Sequence, residues 1–105
     1  MTKTILVADD SRTIQQAVEL TFRSTEFRVV PAANADEALH RLAELAPSVV
    51  LADVVMPGKD GYQLCTAIKG DASTARIPVL LLAGAGDPVD EGRARAAKAD
   101  GHMKK

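Results

Sequence analysis

The stretch from residue 49 to residue 58, VVLADVVMPG, constrains the fold of this chain more than any other. Four apolar residues lead directly into one carboxylate, Asp53, and a turn containing Pro57 and Gly58 follows. A continuous Val/Leu run predicts a strand buried on both faces, which is typical of parallel sheets. Reactive groups in open parallel sheets lie just beyond the carboxyl ends of the strands. The sequence therefore predicts that Asp53 stands at the reactive edge of a sheet.

The rest of the chain alternates short apolar runs with segments of helical spacing. Ser11 and Asn34 each precede such a segment and are predicted helix caps, and Asp87-Pro88 is predicted to cap and begin the last helix. That helix has a poor apolar face and is expected to be the most weakly held. Strands alternating with helices predict an α/β fold with a doubly wound parallel sheet. The predicted strands are 5–8, 27–30 (ended by Pro31), 49–52, 77–82 and 101–104.

Composition excludes several classes of function. The 105 residues are 47% hydrophobic and 26% charged with a net charge of −1, which fits one soluble globular domain. Because no block of Lys or Arg precedes the last residues, nucleic-acid binding is not expected. The apolar run from Ile5 to Ala8 is too short for a signal peptide or a membrane span. The single cysteine, Cys65, excludes an internal disulfide framework, so a cytoplasmic protein without a membrane partner is expected.

Charged side chains follow three of the predicted strands. Asp9 and Asp10 end the first, Asp53 ends the third, and Lys105 follows the fifth. Carboxylates crowded at one edge repel each other, and a hard divalent cation such as Mg²⁺ would relieve that repulsion. A carboxylate in such a site can attack phosphorus and form an aspartyl phosphate, while a lysine holds the phosphoryl group as a point charge. The sequence therefore predicts a phosphoryl-accepting site.

With the sequence MPGKDG at 56–61, these residues resemble the receiver domain of two-component response regulators, typified by chemotaxis Y proteins. The resemblance runs over essentially the whole chain. It implies a flavodoxin-like, five-stranded sheet of order 2-1-3-4-5. It also implies a cytoplasmic signalling module, and not an enzyme in the usual sense, that receives a phosphoryl group from a sensor histidine kinase.

The resemblance assigns a role to each residue of the predicted site. Asp53 is the phosphoacceptor, which receives its phosphoryl group from a phosphohistidine of the sensor kinase. Asp10 and Asp53 ligate Mg²⁺ directly, Asp9 acts through water, and the Val55 carbonyl completes the metal site. Lys105 stands at the family's usual spacing after Asp53 and contacts the phosphoryl group.

Two positions depart from the family pattern. The family has Thr or Ser at the end of the fourth strand, where this chain has Ala83, and an aromatic residue on the fifth strand, where it has His102. The missing hydroxyl removes a hydrogen bond worth about 1.5–3 kcal/mol, comparable to a typical allosteric coupling of about 1–3 kcal/mol. An alternative function therefore stays open: a pseudo-receiver that binds partner proteins independently of phosphorylation.

The family also continues past the lysine with Pro and a fifth helix, whereas this sequence stops at Lys105. Residues 1–105 are therefore expected to form one receiver domain that lacks the last helix. The first strand and the helix over 13–23 are expected to lie partly bare, and such apolar surface favours dimerisation or exchange of elements. Output is expected from a downstream protein or from a C-terminal effector.

A third candidate is a haloacid-dehalogenase-type phosphohydrolase, which also uses an aspartyl phosphate. Such enzymes need a second Asp two residues after the nucleophile, and this chain has Val55 there. Three further residues have ordinary structural interpretations. Cys65 is expected in the core, His40 on the surface, and residues 84–86 in a flexible loop beside the site.

Overall fold

The structure, a computed structural model, describes residues 3–84 and 86–105. The predicted loop at 84–86 lies partly outside the described residues, since Ala85 is not among them. None of the described helices is both long and apolar enough to cross a membrane. The elements, in chain order, are β1 (Lys3–Ala8), α1 (Arg12–Phe22), β2 (Phe27–Ala32), α2 (Ala35–Leu45), β3 (Val49–Asp53), α3 (Gly61–Gly70), β4 (Val79–Ala83), α4 (Glu91–Ala96) and β5 (Gly101–Lys104).

The five strands form one parallel sheet in the order β2-β1-β3-β4-β5, which confirms the predicted doubly wound fold. β3 is central, and its residues Val50 and Ala52 are fully buried, as the continuous apolar run predicts. Ala8 of β1 lies in register with Ala52 of β3. The residues that follow each of them, Asp9 and Asp53, are therefore brought side by side at the carboxyl edge.

Helices cover the two faces of the sheet unequally. The larger core cluster contains buried residues of α2 and α3 and the buried Ala97 just after α4, whereas α1 contributes partly buried residues to the smaller cluster on the opposite face. A groove of about 480 Å³ lies between α1 and the β4–β5 half of the sheet. Ile5 and Val7 of β1 are 2% and 0% exposed, so the prediction that β1 lies partly bare is wrong. The prediction for the first helix is confirmed, since α1 has no buried residue and lines the groove. The uncovered apolar surface is this groove, which includes Leu80 and Met103.

The two strands that lie next to a proline, β2 and β4, have other bounds than predicted. β2 continues through Pro31 to Ala32 because it is an edge strand, where a residue without an N–H is tolerated. β4 begins at Val79 and extends to Ala83. Ile77 lies outside the strand, and its carbonyl accepts a hydrogen bond from Lys69 Nζ. β4 therefore begins after Pro78, because it lies between β3 and β5, where a residue without an N–H is poorly tolerated.

The last helix is shorter than predicted and has a different cap. Asp90, and not Asp87, accepts a hydrogen bond from the Arg93 N–H and caps α4. The Asp90 N–H in turn donates to the Tyr62 hydroxyl at 2.7 Å, a tertiary contact that fixes the start of the helix. No α4 residue is fully buried, as expected for a weakly held helix.

Cys65 and His40 lie where the sequence places them. Cys65 is fully buried in the larger core cluster, and burial raises the pKa of its thiol to about 11. Its Sγ lies 3.3 Å from the Ala97 carbonyl oxygen. The His40 side chain is 79% exposed and contacts Glu44 one turn along α2. Cys65 is therefore a core residue, and neither side chain approaches the carboxyl edge of the sheet.

A second charged cluster, which the sequence analysis does not predict, lies at the amino ends of strands β4 and β5. Lys69 Nζ donates to the carbonyls of Ala75 and Ile77 and lies 2.7 Å from Asp100 Oδ2. Asp100 Oδ2 also accepts a hydrogen bond of 2.8 Å from the Val79 N–H. The cluster joins the end of α3, the start of β4 and the residue before β5.

We expect Ala46→Gly to stabilise the chain by about 0.5–1 kcal/mol. Ala46 caps the end of α2 in the left-handed region, with φ 45°, where a Cβ is unfavourable. Ala43→Gly is the matched control, since Ala43 is exposed inside the same helix, and should destabilise by about 1 kcal/mol. Urea denaturation measures the free energy of unfolding of each variant against the wild type. Equal destabilisation by both would contradict the assigned backbone conformation.

The charged cluster predicts a pH dependence of stability. The hydrogen bond from Lys69 holds the pKa of Asp100 below its ordinary value of 3.8. The stabilisation is therefore present above that value and is lost as the pH falls through the lower folded-state pKa. Asp100→Asn should lower the Tm at neutral pH by about 2–4 °C, a modest effect since the carboxylate is partly exposed. The difference in Tm between Asp100→Asn and the wild type should become smaller below about pH 4.

The control for this pH dependence is Glu26→Gln. Glu26 forms an exposed pair with Lys3, in which both side chains are more than half exposed. Thermal melts of both variants across pH should show that the difference in Tm from the wild type depends on pH for Asp100→Asn and not for Glu26→Gln. A difference that persists undiminished in acid would show that Asp100 acts through its shape and not through its charge.

Candidate functional site

Asp53 ends β3 and is 3% exposed. Its Oδ1 accepts a hydrogen bond of 3.1 Å from the Val55 N–H, which fixes the side chain at the start of the following turn. The turn needs Gly58, whose φ is +77°. The first residue of α3, Gly61, lies so close that a Cβ there would overlap the carbonyl oxygen of Asp53. Gly61 therefore lets α3 pack directly on the backbone of Asp53, a role that its place in the MPGKDG motif does not reveal by itself.

Asp9 follows β1 and is completely buried, whereas the neighbouring Asp10 is exposed. Asp9 Oδ1 accepts a hydrogen bond of 2.8 Å from the Ser11 N–H. The Gln15 side-chain amide donates to the Asp9 carbonyl oxygen at 2.7 Å and links the first turns of α1 to the site. Gln15 is a contributor that the sequence analysis missed, since a glutamine on a helix carries no signal of such a contact.

Lys105 completes the site from the end of β5. Its Nζ lies 3.0 Å from Asp9 Oδ2 and 2.8 Å from Asp53 Oδ2, and its side chain is 19% exposed. The Lys105 N–H donates to the Ala83 carbonyl at 3.0 Å, so its backbone continues the pairing of β5 with β4. The structure therefore brings the predicted lysine and two of the predicted carboxylates into direct contact.

Burial, more than mutual repulsion, governs the charges of this site. Burial raises the pKa of Asp9, and the smaller repulsion from Asp53 acts in the same direction, while Ser11 and Lys105 oppose it. Burial also disfavours the charged form of Lys105, but the hydrogen bonds and charges of Asp53 and Asp9 outweigh it and raise the pKa of Lys105. The predicted repulsion between the carboxylates is therefore present, but it raises the pKa of Asp9 less than burial does, and Lys105 opposes both.

The three carboxylates together fit a hard divalent cation. One oxygen each from Asp9, Asp10 and Asp53 lie within 4.8 Å of one another. Asp9 Oδ2 is buried and, apart from its ion-pair contact with Lys105, has no hydrogen-bond donor among residues 3–84 and 86–105. Oxygen ligands in a small cluster with an exposed member, Asp10, suit Mg²⁺, which binds one or two carboxylates and keeps several waters.

The comparisons identify the family. The family model described as the response regulator receiver domain matches residues 5–105. The chain is a response regulator receiver domain. It is 30% identical to Protein PilG of Pseudomonas aeruginosa over 101 residues, which cover 96% of this chain and 75% of PilG. It is 32% identical to the phosphate regulon transcriptional regulatory protein PhoB of Klebsiella pneumoniae over 105 residues, but spans only 46% of PhoB.

Solved structures agree with this assignment. The chemotaxis protein CheY4 of Vibrio cholerae superposes with a TM-score of 0.90 and 27% identity, covering 100% of this receiver domain and 88% of CheY4. The receiver domain of a signal transduction histidine kinase from Syntrophus aciditrophicus gives a TM-score of 0.88 and 33% identity, covering 99% of this chain and 79% of that one. The predicted resemblance to receiver domains is thereby confirmed.

The two departures from the family pattern lie on neighbouring strands. Ala83 ends β4 and is 3% exposed, and its side chain offers no hydroxyl toward the carboxyl edge. His102 is exposed on β5, where it lies in register with Leu81. Neither side chain takes part in the contacts among Asp9, Asp53 and Lys105 that the described residues make. The receiver domain thus holds its acidic cluster and its lysine together without either usual switch residue.

Millimolar Mg²⁺ should raise the Tm of this receiver domain, because a ligand of the folded state stabilises it in proportion to RT ln(1 + [L]/Kd). Asp10→Asn should abolish that increase. Since Asp10 is exposed, the same substitution should change the metal-free Tm by less than about 2 °C. Thermal melts with Mg²⁺ and with K⁺ at matched ionic strength separate binding from screening. An unchanged Mg²⁺ response in Asp10→Asn would exclude Asp10 from the metal site.

Proposed function

We propose that this receiver domain accepts a phosphoryl group on Asp53 from a phosphohistidine of a sensor histidine kinase. The observation that supports it most strongly is the contact of Lys105 Nζ with both Asp53 Oδ2, at 2.8 Å, and Asp9 Oδ2, at 3.0 Å. A cation held against the nucleophile and its neighbour is placed where the negative charge of an incoming phosphoryl group develops. The acidic cluster beside it supplies the remaining requirement, a site for Mg²⁺.

The transfer itself is a displacement at phosphorus. A carboxylate oxygen of Asp53 attacks the phosphorus atom and forms the new O–P bond. The N–P bond to the donor imidazole breaks, and its electron pair returns to the ring nitrogen, which then takes up a proton. The Val55 N–H holds Asp53 Oδ1 in place, and Lys105 remains close enough to pair with the phosphoryl oxygens as a point charge.

Asp10, Asp53 and the Val55 carbonyl would hold Mg²⁺ directly, and Asp9 would act through water. When bound, the ion would offset the negative charges of the carboxylates and of the phosphoryl oxygens. Asp53 is only 3% exposed, so the ion-pair contacts of Lys105 must rearrange when the phosphoryl donor approaches. The buried Asp9 keeps a negative charge next to the lysine and thereby holds it near the acceptor throughout.

The domain acts as a phosphoacceptor, not as an enzyme that turns over a substrate, apart from self-catalysed transfer and loss of the phosphoryl group. Its partners are a sensor histidine kinase and a downstream output protein or C-terminal effector. Surface around the groove beside α1 is the part of the domain through which two copies would pair. The free, buried thiol of Cys65 suits a cytoplasmic location.

Intact-mass measurement after incubation with Mg²⁺ and acetyl phosphate tests the phosphoacceptor assignment. The wild type should gain the mass of one phosphoryl group, and Asp53→Asn should gain none. Lys105→Met should slow the gain by about 10²–10³-fold, because it removes a preorganised positive charge. Lys104→Met, at the exposed neighbouring position, is the matched control and should leave the rate within a few-fold of the wild type.

Two results would overturn this assignment. If the wild type gains no mass under these conditions, the domain is a scaffold whose binding does not depend on phosphorylation. If Asp53→Asn gains the same mass as the wild type, the phosphoryl group is on another residue. Equal slowing by Lys104→Met and Lys105→Met would show that general positive charge, and not the buried contact, assists the transfer.

A further inference from the structure

Helix α4 is attached to α3 by a cluster of polar and cation–π contacts. Arg93 Nη2 lies 2.7 Å from Asp60 Oδ2, and the Arg93 guanidinium lies 4.2 Å from the centre of the Tyr62 ring. The Tyr62 hydroxyl, on a side chain that is 6% exposed, accepts the Asp90 N–H at 2.7 Å. Asp60, Tyr62, Asp90 and Arg93 are called the α3–α4 clamp below. α4 has only six residues and none is fully buried, so the clamp adds to the packing of Ala94 and Ala97 on the larger core cluster.

Asp60 belongs both to the clamp and to the start of α3. Its Oδ1 accepts a hydrogen bond of 2.9 Å from the Gln63 N–H, and the Gln63 Oε1 accepts one of 2.9 Å from the Asp60 N–H. This capping box fixes the first turn of α3. The other carboxylate oxygen, Oδ2, contacts Arg93. One side chain therefore sets the position of the first turn of α3 and holds α4 to it.

The first turn of α3 also rests on the acceptor residue. Gly61 follows Asp60 and packs so tightly on the Asp53 carbonyl that no side chain fits between them. The turn between them begins at Val55, whose N–H is held by the Asp53 carboxylate at 3.1 Å. The amino end of a helix carries a partial positive charge, so a change of negative charge at Asp53 changes the force on this turn.

The usual connection between the acceptor and α4 is missing from this chain, because Ala83 has no hydroxyl and His102 lies exposed on β5. A continuous series of contacts nevertheless connects the two. Gly61 packs on the Asp53 carbonyl, and the preceding residue, Asp60, accepts a hydrogen bond from Arg93. Resting on the phosphoacceptor role assigned above, we propose that the α3–α4 clamp transmits changes of charge at Asp53 to α4. The clamp takes the place of the absent hydroxyl, and Arg93 is its positioning residue.

This proposal predicts that the two sites are energetically coupled even without phosphorylation. Asp53→Asn removes the negative charge, weakens the attraction on the first turn of α3 and should loosen the clamp. Hydrogen exchange at the Asp90 and Ala94 amides reports this, since the first is held by Tyr62 and the second by the Asp90 carbonyl. Exchange of both should accelerate by about fivefold or more, the lower end of typical allosteric couplings.

The decisive comparison repeats Asp53→Asn in two backgrounds. Arg93→Ala already removes the contact with Asp60, so the added substitution should change exchange at Ala94 by less than about twofold. In Arg95→Ala, a loss of the same charge from the same short helix, the full acceleration should remain. Arg93 is half exposed, so its truncation leaves the fold intact, which a thermal melt of each variant checks.

An equal effect of Asp53→Asn in the Arg93→Ala and Arg95→Ala backgrounds would overturn the proposal, as would the absence of any effect on α4 in the otherwise unchanged chain. The intact-mass measurement is made on the same proteins and tests the phosphoacceptor assignment separately. Coupling without mass gain would refute phosphorylation and leave the clamp standing. Mass gain without coupling would refute the clamp and leave phosphorylation standing.

Discussion

The ammonium group of Lys105, held 3.0 Å from Asp9 and 2.8 Å from Asp53, is the interaction on which this site depends. Both carboxylates are almost completely buried, and a buried charge without a partner is strongly destabilising. The lysine offsets that cost and at the same time fixes the end of β5 against β4, where its N–H bonds to Ala83. β5 has four residues and little burial of its own. The lysine that follows it connects it to the carboxylates at the ends of β1 and β3.

The parallel register explains why these residues meet. Ala8 and Ala52 are neighbours across β1 and β3, and Ala83 lies in register with Lys104. Asp9, Asp53 and Lys105 each directly follow a residue of these pairs, so all three lie at the carboxyl edge of the sheet. This is why sequence reasoning works well here: a strand end is readable from an apolar run, and a doubly wound topology makes the ends converge.

The same reasoning fails where a contact depends on packing between distant segments. The pairs Lys69–Asp100 and Asp60–Arg93 join side chains that no local pattern connects. The predicted cap of α4, Asp87-Pro88, is wrong for the same reason, since a hydrogen bond to the hydroxyl of the distant Tyr62 holds Asp90 at the start of the helix. The electrostatics of the acidic cluster are likewise set by burial, which a list of charged residues does not reveal.

Asp53 is connected both to the α3–α4 clamp and to Lys105. The first begins at its backbone, through Gly61, and the second ends at its carboxylate. Under the proposed function, Lys105 would pair with the phosphoryl group and α4 would respond to the change of charge at Asp53. A receiver domain with Ala83 in place of a hydroxyl would then keep its acceptor chemistry and use a different connection to its surface.

Nuclear magnetic resonance of the lysine ammonium groups in ¹⁵N-labelled protein tests the central contact most directly. Lys105 should give a slowly exchanging ammonium signal at neutral pH, because its side chain is 19% exposed and contacts two carboxylates. That signal should be absent in Lys105→Met and shifted in Asp53→Asn, while the signal of the buried Lys69 stays unchanged. A Lys105 ammonium that exchanges as fast as those of exposed lysines, and is insensitive to Asp53→Asn, would contradict the account.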